Sequence, residues 1–262
     1  MLLHGLGSRR EIWAPVIPAL AERFEVVAPD LPGFGAAPMP PAGTPPGAAS
    51  LAALVSEFCA GLGPAFARPH VAGNSLGGLI ALELARGGRA VSATAISPAG
   101  FSSPAETVVA RGSLWLAVRT ARRLAPWADQ VTASAAGRWF ALGGFMSHPD
   151  RVPPAEAAAD FRAFGAAPWF DATMPTVGSM AFSGGREVHV DVPVTVGWGD
   201  KDRLLWPRQA RRAARALPRA RVLMMPGCGH TPTYDDPGQV VRVIVDGTGI
   251  DAPTRTASAA GA

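Results

Sequence analysis

The fold is decided by one stretch of sequence, HVAGNSLGGLIALELAR at residues 70–86. Its first residues, His70–Ala72, form a short strand-like run, and Leu76–Arg86 has the apolar spacing of a helix. Between them lies Gly73-Asn74-Ser75-Leu76-Gly77, which fits the pattern G-x-S-x-G. In that pattern a sharp strand-to-helix turn lifts a serine hydroxyl above the edge of a sheet. The stretch therefore predicts a strand, a tight turn that presents Ser75, and a helix.

Short apolar runs alternate with helical segments on both sides of this stretch. We predict strands at Phe24–Pro29, His70–Ala72, Val91–Ile96, Val192–Val196 and Arg221–Met225, with a stub at Met1–Leu3. We predict helices at Ile12–Arg23, Leu51–Gly61, Leu76–Arg86, Pro207–Leu217 and Pro237–Val245. Continuous apolar runs indicate strands covered on both faces, and strands that alternate with helices pair in parallel. The predicted fold is α/β, a doubly wound and mostly parallel sheet with flanking helices.

One region breaks this alternation. Residues 101–186 contain no good strand, and their Trp- and Ala-rich helical stretches are separated by Pro and Gly. We interpret them as a helical cap inserted into an α/β core formed by residues 1–100 and 187–250, because long insertions at the strand C-terminal edge are usually functional. Residues 251–262 are small and polar, and we expect a disordered tail.

Composition restricts the class of protein. Of the 262 residues, 48% are hydrophobic and 17% charged, which suits one buried α/β core. The net charge is +4, but the arginines are scattered without a nucleic-acid-binding motif, so we expect no nucleic acid partner. The longest apolar runs are far too short to span a membrane, and no membrane partner is expected. Cys59 and Cys228 show no paired spacing and no secretory signal is visible, so we expect reduced thiols in a cytoplasmic protein.

Two further loops carry candidate catalytic residues. His230 lies in Pro226-Gly227-Cys228-Gly229-His230, immediately after the last predicted strand, and a histidine in such a glycine-rich loop is poorly placed to fill the core. The loop Gly199-Asp200-Lys201-Asp202 follows another strand and offers two carboxylates. We favour Asp202, which lies later in the loop, whereas Asp200 suits a local turn. The order Ser75, Asp202, His230 is that of a serine nucleophile, an orienting acid and a base on this kind of sheet.

A glycine-rich turn supplies the remaining part of the predicted site. His4-Gly5-Leu6-Gly7-Ser8 follows the stub strand and precedes a helix. In such a turn the N–H of Leu6 can face Ser75 and, with the N–H of Leu76, hold an oxyanion. No cluster of metal ligands is apparent, and we expect neither a metal nor an organic cofactor.

These motifs, together with Asp30-Leu31-Pro32-Gly33-Phe34-Gly35, resemble the α/β-hydrolase superfamily. The likeness is to its small bacterial esterases, haloperoxidase-like enzymes and carbon–carbon bond hydrolases with a helical cap. It implies Ser75, Asp202 and His230 as triad, with oxyanion donors at Leu6 and Leu76. It speaks against haloalkane dehalogenases and epoxide hydrolases, in which Asp is the nucleophile. Family members usually carry two more strands ahead of the His-Gly motif, so we expect the first two strands to be missing and favour a start upstream of Met1.

The predicted activity is hydrolysis of a carboxylic ester of a small apolar molecule through an acyl-enzyme. Carbon–carbon bond hydrolysis or cofactor-free perhydrolysis on the same triad are alternatives, as is a non-catalytic receptor that keeps the fold. The predicted cap holds Trp115, Trp127, Trp139 and Trp169 and several phenylalanines. These aromatic side chains either line an apolar pocket or pack the cap helices together, and the sequence favours neither. The oligomeric state is left open.

Overall fold

The computed structural model describes residues 1–178, 181–182, 188–189 and 191–250, and its centre is a parallel β-sheet. Five strands pair in chain order, namely β1 (Leu2–Leu3), β2 (His70–Asn74), β3 (Ser92–Ile96), β4 (Val194–Gly199) and β5 (Arg221–Met225). Every pair is parallel, with Leu3 opposite Gly73 and Asn74 opposite Ile96. The carboxyl ends of the strands therefore lie along one edge, where the predicted site loops emerge.

Helices cover both faces of this sheet. The helices are α1 (Ile17–Ala21), α2 (Ala48–Gly61), α3 (Leu76–Arg86), α9 (Gln209–Ala216) and α10 (Pro237–Thr248). Successive strand residues point to opposite faces: Leu2 and Ala72 pack with α1 and α10, whereas Leu3 and Val71 pack with α2, α3 and α9. The predicted doubly wound α/β fold is confirmed.

The prediction of a strand at Phe24–Pro29 is wrong. The segment runs beside β1, but among the described residues a single backbone hydrogen bond joins the two, from the Leu2 N–H to the Val27 carbonyl at 2.9 Å. A ladder needs successive hydrogen bonds between two strands, and this single bond leaves the segment as a loop beside the sheet.

Prolines divide the helix that was predicted for Ile12–Arg23. A 3₁₀ turn covers Arg10–Trp13, and α1 begins only at Ile17. Pro15 lies in the gap and Pro18 in the first turn of α1, where a missing N–H is tolerated. The prolines therefore explain why this segment forms a 3₁₀ turn and a short α-helix instead of one long helix.

Between β3 and β4 the chain forms a helical segment, with no strand among its described residues. Its helices are α4 (Pro104–Leu124), α5 (Ala128–Thr132), α6 (Ala135–Leu142), α7 (Pro154–Ala166) and α8 (Phe170–Thr173). At the start of α4, Ser103 and Glu106 form a capping box. Buried Glu106 also pairs with Arg208 and Arg212, which fixes this helix to the region of α9. The predicted end of the cap at residue 186 and the predicted tail lie outside the described residues.

Within the described ranges, no helix has both the length and the hydropathy needed to cross a bilayer.

Candidate active site

Ser75 lies on the turn that joins β2 to α3. Its backbone is left-handed, with φ 57° and ψ −115°, a conformation that costs energy for any residue with a side chain. Two glycines let the turn close. A Cβ on Gly73 would lie 2.1 Å from the carbonyl oxygen of Gly77, and one on Gly77 would lie 2.1 Å from that of Leu3. Close backbone packing thus excludes side chains at both positions and raises Ser75 above the sheet.

Asp202 and His230 are in direct contact. The Nδ1 atom of His230 lies 2.8 Å from Oδ2 of Asp202, and both side chains are buried. The other oxygen of Asp202, Oδ1, accepts hydrogen bonds from the N–H groups of Leu204 and Leu205 at 2.9 and 2.8 Å. An ionised carboxylate is acceptor-only, so the His230 proton belongs on Nδ1 and Nε2 keeps its lone pair. An imidazole held in this way can accept a proton at Nε2.

Asp200, the other carboxylate of that loop, lies elsewhere. Its Oδ1 accepts a hydrogen bond from the N–H of Gly227 at 2.7 Å, and its Oδ2 lies 3.5 Å from the ammonium of Lys201. Asp200 therefore links two loops at the surface, while Asp202 contacts the histidine.

Ser75 and His230 line one cavity of about 420 Å³, together with the backbone around Leu6 and Leu76. Both side chains belong to the described part of the chain, and no hydrogen bond joins the Ser75 hydroxyl to His230 there. Such bonds are often long before substrate binds. Asp202 thus contacts His230 directly, whereas Ser75 and His230 line the same cavity without a hydrogen bond between them.

The walls of the cavity are mainly apolar and come largely from the helical segment. Phenylalanines from this segment line it, namely Phe140, Phe145, Phe161 and Phe164. The tryptophans of the segment do not line the cavity. Trp115, Trp127 and Trp139 are exposed, and buried Trp169 packs edge-on against Phe34 of the core. Of the two roles considered for the aromatic residues, these phenylalanines line the pocket, while Trp169 joins the helical segment to the core.

The turn that carries Leu6 passes beside the serine. A Cβ on Gly5 would lie 3.2 Å from Cβ of Ser75. His4, which is buried, fixes this turn: its Nδ1 bonds to the Gly5 carbonyl at 2.8 Å, and its Nε2 accepts from the Leu31 N–H at 2.9 Å. Burial lowers the pKa of His4, which favours the neutral ring that these two bonds require. His4 is thus a structural support for the predicted oxyanion turn.

Two side chains that the sequence did not single out hold the His230 loop. Asn74 donates through Nδ2 to the His230 carbonyl at 2.8 Å and to the Ile96 carbonyl at 3.1 Å. The sequence offered one signal for Asn74, because it is a polar residue at the end of a strand that is otherwise buried. Asp235 accepts from the N–H groups of Gly229, Ser147 and His148, at 2.7, 3.0 and 2.6 Å. Nothing local in the sequence marks Asp235, because two of its three partners, Ser147 and His148, lie 88 and 87 residues away.

An ionic cluster stands at another wall of the cavity. Arg9, three residues after Leu6, bonds to Asp160 at 2.7 Å and to Glu156 at 2.6 Å, both on α7. It also pairs with Glu11 at 3.2 Å. Burial raises the pKa of Asp160 to about 6. The predicted oxyanion turn is therefore tied to the helical segment by charge. Among the residues described, no three His, Cys, Asp or Glu side chains are grouped as metal ligands.

With this fold and site, the chain belongs to the alpha/beta hydrolase family, whose sequence model it matches over residues 1–243. It is 32% identical to the epoxide hydrolase EphH of Mycobacterium tuberculosis over 185 residues. This alignment covers 67% of the present chain and 83% of EphH. It superimposes on a bacterial membrane phospholipase A with a TM-score of 0.71 and 26% identity, over 94% of this chain and 78% of the other. The enol-lactonase of Burkholderia xenovorans LB400 gives a TM-score of 0.70 at 21% identity, over 94% and 88% of the two chains. The predicted resemblance is confirmed, and the protein is a hydrolase.

Proposed function

We propose that this hydrolase cleaves carboxylic esters of small apolar molecules through an acyl-enzyme on Ser75. The observation that carries the proposal is the strained Ser75 turn in the cavity where His230, oriented by Asp202, is also found. A histidine oriented by a carboxylate is one of the arrangements that activate a serine hydroxyl for nucleophilic attack.

In the proposed reaction, Nε2 of His230 takes the Ser75 proton as Oγ attacks the ester carbonyl. The N–H groups of Leu6 and Leu76 hold the negative oxygen that develops, each contributing about 3 kcal/mol to the transition state. Protonated His230 then gives its proton to the leaving alcohol, and the acyl group remains on Ser75. A water molecule activated by His230 releases the acid and restores the free hydroxyl. Asp202 stays ionised throughout and holds the histidine tautomer.

The cavity and the relatives both support an ester as substrate. The phenylalanine-rich walls suit an apolar acyl or alcohol group. Two of the similar structures are named as a phospholipase A and an enol-lactonase, and both names denote cleavage of carboxylic ester bonds. The relative EphH is named an epoxide hydrolase. That activity uses an aspartate nucleophile in this superfamily, and Ser75 therefore argues against epoxide hydrolysis here.

A covalent probe tests the proposal. Purified protein would be treated with a fluorophosphonate, and hydrolysis of p-nitrophenyl esters of increasing acyl length would be followed in parallel. Ser75→Ala should abolish labelling and lower kcat by up to about 10⁶-fold. Ser113→Ala is the matched control, since Ser113 lines the same cavity from α4 and should leave labelling intact. A folded wild-type protein that neither labels nor hydrolyses any ester would refute the proposal.

A further inference from the structure

Exposed apolar side chains concentrate on the helical segment. In the described part of the chain, seven of the thirteen exposed large apolar side chains lie between residues 108 and 140: Val108, Val109, Trp115, Leu116, Trp127, Trp139 and Phe140. Solvent-exposed apolar residues scattered singly need no explanation, whereas a concentration of them beside a pocket indicates a contact surface. The rest of the described surface shows no comparable concentration.

Two of these side chains stand at the opening of the cavity. Leu116 of α4 and Phe140 of α6 both line the cavity that contains Ser75, yet they are 65% and 62% exposed. A side chain that lines a cavity and faces solvent at once lies at its mouth. Exposed apolar side chains of α4 and α6 therefore flank the opening of the cavity.

Three exposed arginines accompany this apolar surface. Arg111, Trp115 and Arg119 follow one another at intervals of four residues and so share one face of α4. The Arg119 guanidinium lies 4.2 Å from the centre of the Trp115 ring. Arg111, Arg119 and Arg123 are exposed and form no ion pair with any residue that the structure describes. The one acidic side chain of α4, Glu106, is buried against Arg208 and Arg212.

We infer that this mouth surface, defined as Val108, Arg111, Trp115, Leu116, Arg119 and Phe140, rests on an anionic lipid surface. Tryptophan and aliphatic side chains enter the boundary between headgroups and acyl chains, while arginines keep their charge at the phosphates. Each arginine near an anionic lipid surface also raises the affinity of the protein for that surface by about fivefold. Leu116 and Phe140 would then hold the opening of the cavity beside the lipid, where an apolar ester is concentrated. The expectation of no membrane partner rested on the lack of a spanning segment, which an interfacial contact does not need.

Vesicle sedimentation tests the inference. The full chain would be mixed with sucrose-loaded vesicles of phosphatidylcholine alone, or of phosphatidylcholine with phosphatidylglycerol, and the bound fraction measured at low and high ionic strength. We expect binding to the anionic vesicles that weakens with salt. Arg111→Gln with Arg119→Gln should weaken it about 25-fold. Trp115→Ser should weaken it roughly tenfold, with a smaller blue shift of tryptophan emission.

Matched variants elsewhere on the surface are the controls. Arg211→Gln with Arg215→Gln removes two exposed arginines from α9, and Phe58→Ser removes an exposed aromatic ring from α2. Both should bind vesicles like the wild type, and circular dichroism would establish that every variant is folded. Ser75→Ala should also bind normally, so failure of the catalytic proposal is distinguishable from failure of this one.

Three results would overturn the inference. The first is no binding to anionic vesicles by folded wild-type protein. The second is an equal loss of binding in the control variants, which would indicate a general charge effect. The third is a dimer in light scattering that Trp115→Ser converts to a monomer, which would assign the mouth surface to a second copy of this chain.

Discussion

Both carboxylate oxygens of Asp202 act as acceptors, and this makes Asp202→Asn an informative change. Oδ1 receives two backbone N–H groups, from Leu204 and Leu205, while Oδ2 faces Nδ1 of His230. An asparagine has one acceptor oxygen and one NH₂ group. If the NH₂ group faced the two backbone donors, three donors would meet in a buried space. The amide oxygen must therefore take the Oδ1 position, which leaves the NH₂ group facing His230.

An NH₂ group in that position reverses the histidine tautomer. His230 Nδ1 would have to accept, so the proton would move to Nε2, where it blocks abstraction of the Ser75 proton. Loss of the correct tautomer in a Ser-His-Asp site lowers kcat by about 10⁴-fold, or about 5 kcal/mol of activation free energy. Because the two backbone hydrogen bonds survive, we expect little change in the melting temperature.

The assay is kcat for a p-nitrophenyl ester, with the melting temperature measured on the same samples. Asp200→Asn is the matched control, since it changes the other carboxylate of the loop, which bonds to Gly227 and not to His230. We expect its kcat to stay within a factor of a few of the wild type. An Asp202→Asn variant with more than a tenth of wild-type kcat, or a severe loss in Asp200→Asn, would refute the reasoning.

Three other changes address stability. Gly77→Ala places a Cβ 2.1 Å from a backbone oxygen of β1, so urea denaturation should show a loss of about 3 kcal/mol or more, and a wild-type midpoint would contradict this. Asp160, with its pKa raised by burial to about 6, holds its proton more tightly in the folded state, so the free energy of unfolding should fall by about 3 kcal/mol as pH rises from about 4 to above 6. Asp160→Asn should flatten that part of the melting-temperature profile, and an unchanged profile would count against the assignment. Burial opposes ionisation of Glu106, but the bonds from Ser103 and Arg208 lower its pKa overall, so its contribution is present at neutral pH and lost on acidification. Glu106→Gln should lower the melting temperature at pH 7 and reduce its fall in acid; no difference at pH 7 would exclude this role.

The features that could be predicted from sequence depend on neighbouring residues. The turn at Ser75 is fixed by Gly73 and Gly77, which lie two residues to either side of it. The strand ends at Asn74 and the helix begins at Leu76, so one short stretch of sequence contains the whole arrangement. Asp202 and His230 could be proposed for the same reason, since each follows directly after a recognisable strand.

The features that could not be predicted depend on distant contacts. Whether Phe24–Pro29 forms a strand depends on how it pairs with β1, a contact between distant residues that the segment itself does not encode. Asn74 reads as a variable position of a motif until the fold brings it to the carbonyl of His230, 156 residues away. Composition could not show which aromatic residues of the segment 101–186 line the cavity. Trp115 and Phe161 are both large and aromatic, but Trp115 faces solvent and Phe161 faces the cavity.

The hydrogen bonds of Asp235 couple the His230 loop to the helical segment, and this coupling bears on how activity is lost during unfolding. The loop of His230 is joined to residues 145–148 through Asp235 and through the bond from the Thr231 N–H to the Phe145 carbonyl at 2.8 Å. Ser75, by contrast, is held by the sheet and α3. If the helical segment opens before the sheet, as separate cooperative units often do, the His230 loop keeps its bonds to Asp202 and Asn74 but loses those to Phe145, Ser147 and His148. The base would then be less firmly positioned, while the nucleophile stays in place. Esterase activity would then disappear at a lower urea concentration than the circular dichroism signal of the sheet, and coincident curves would show that the two layers melt as one.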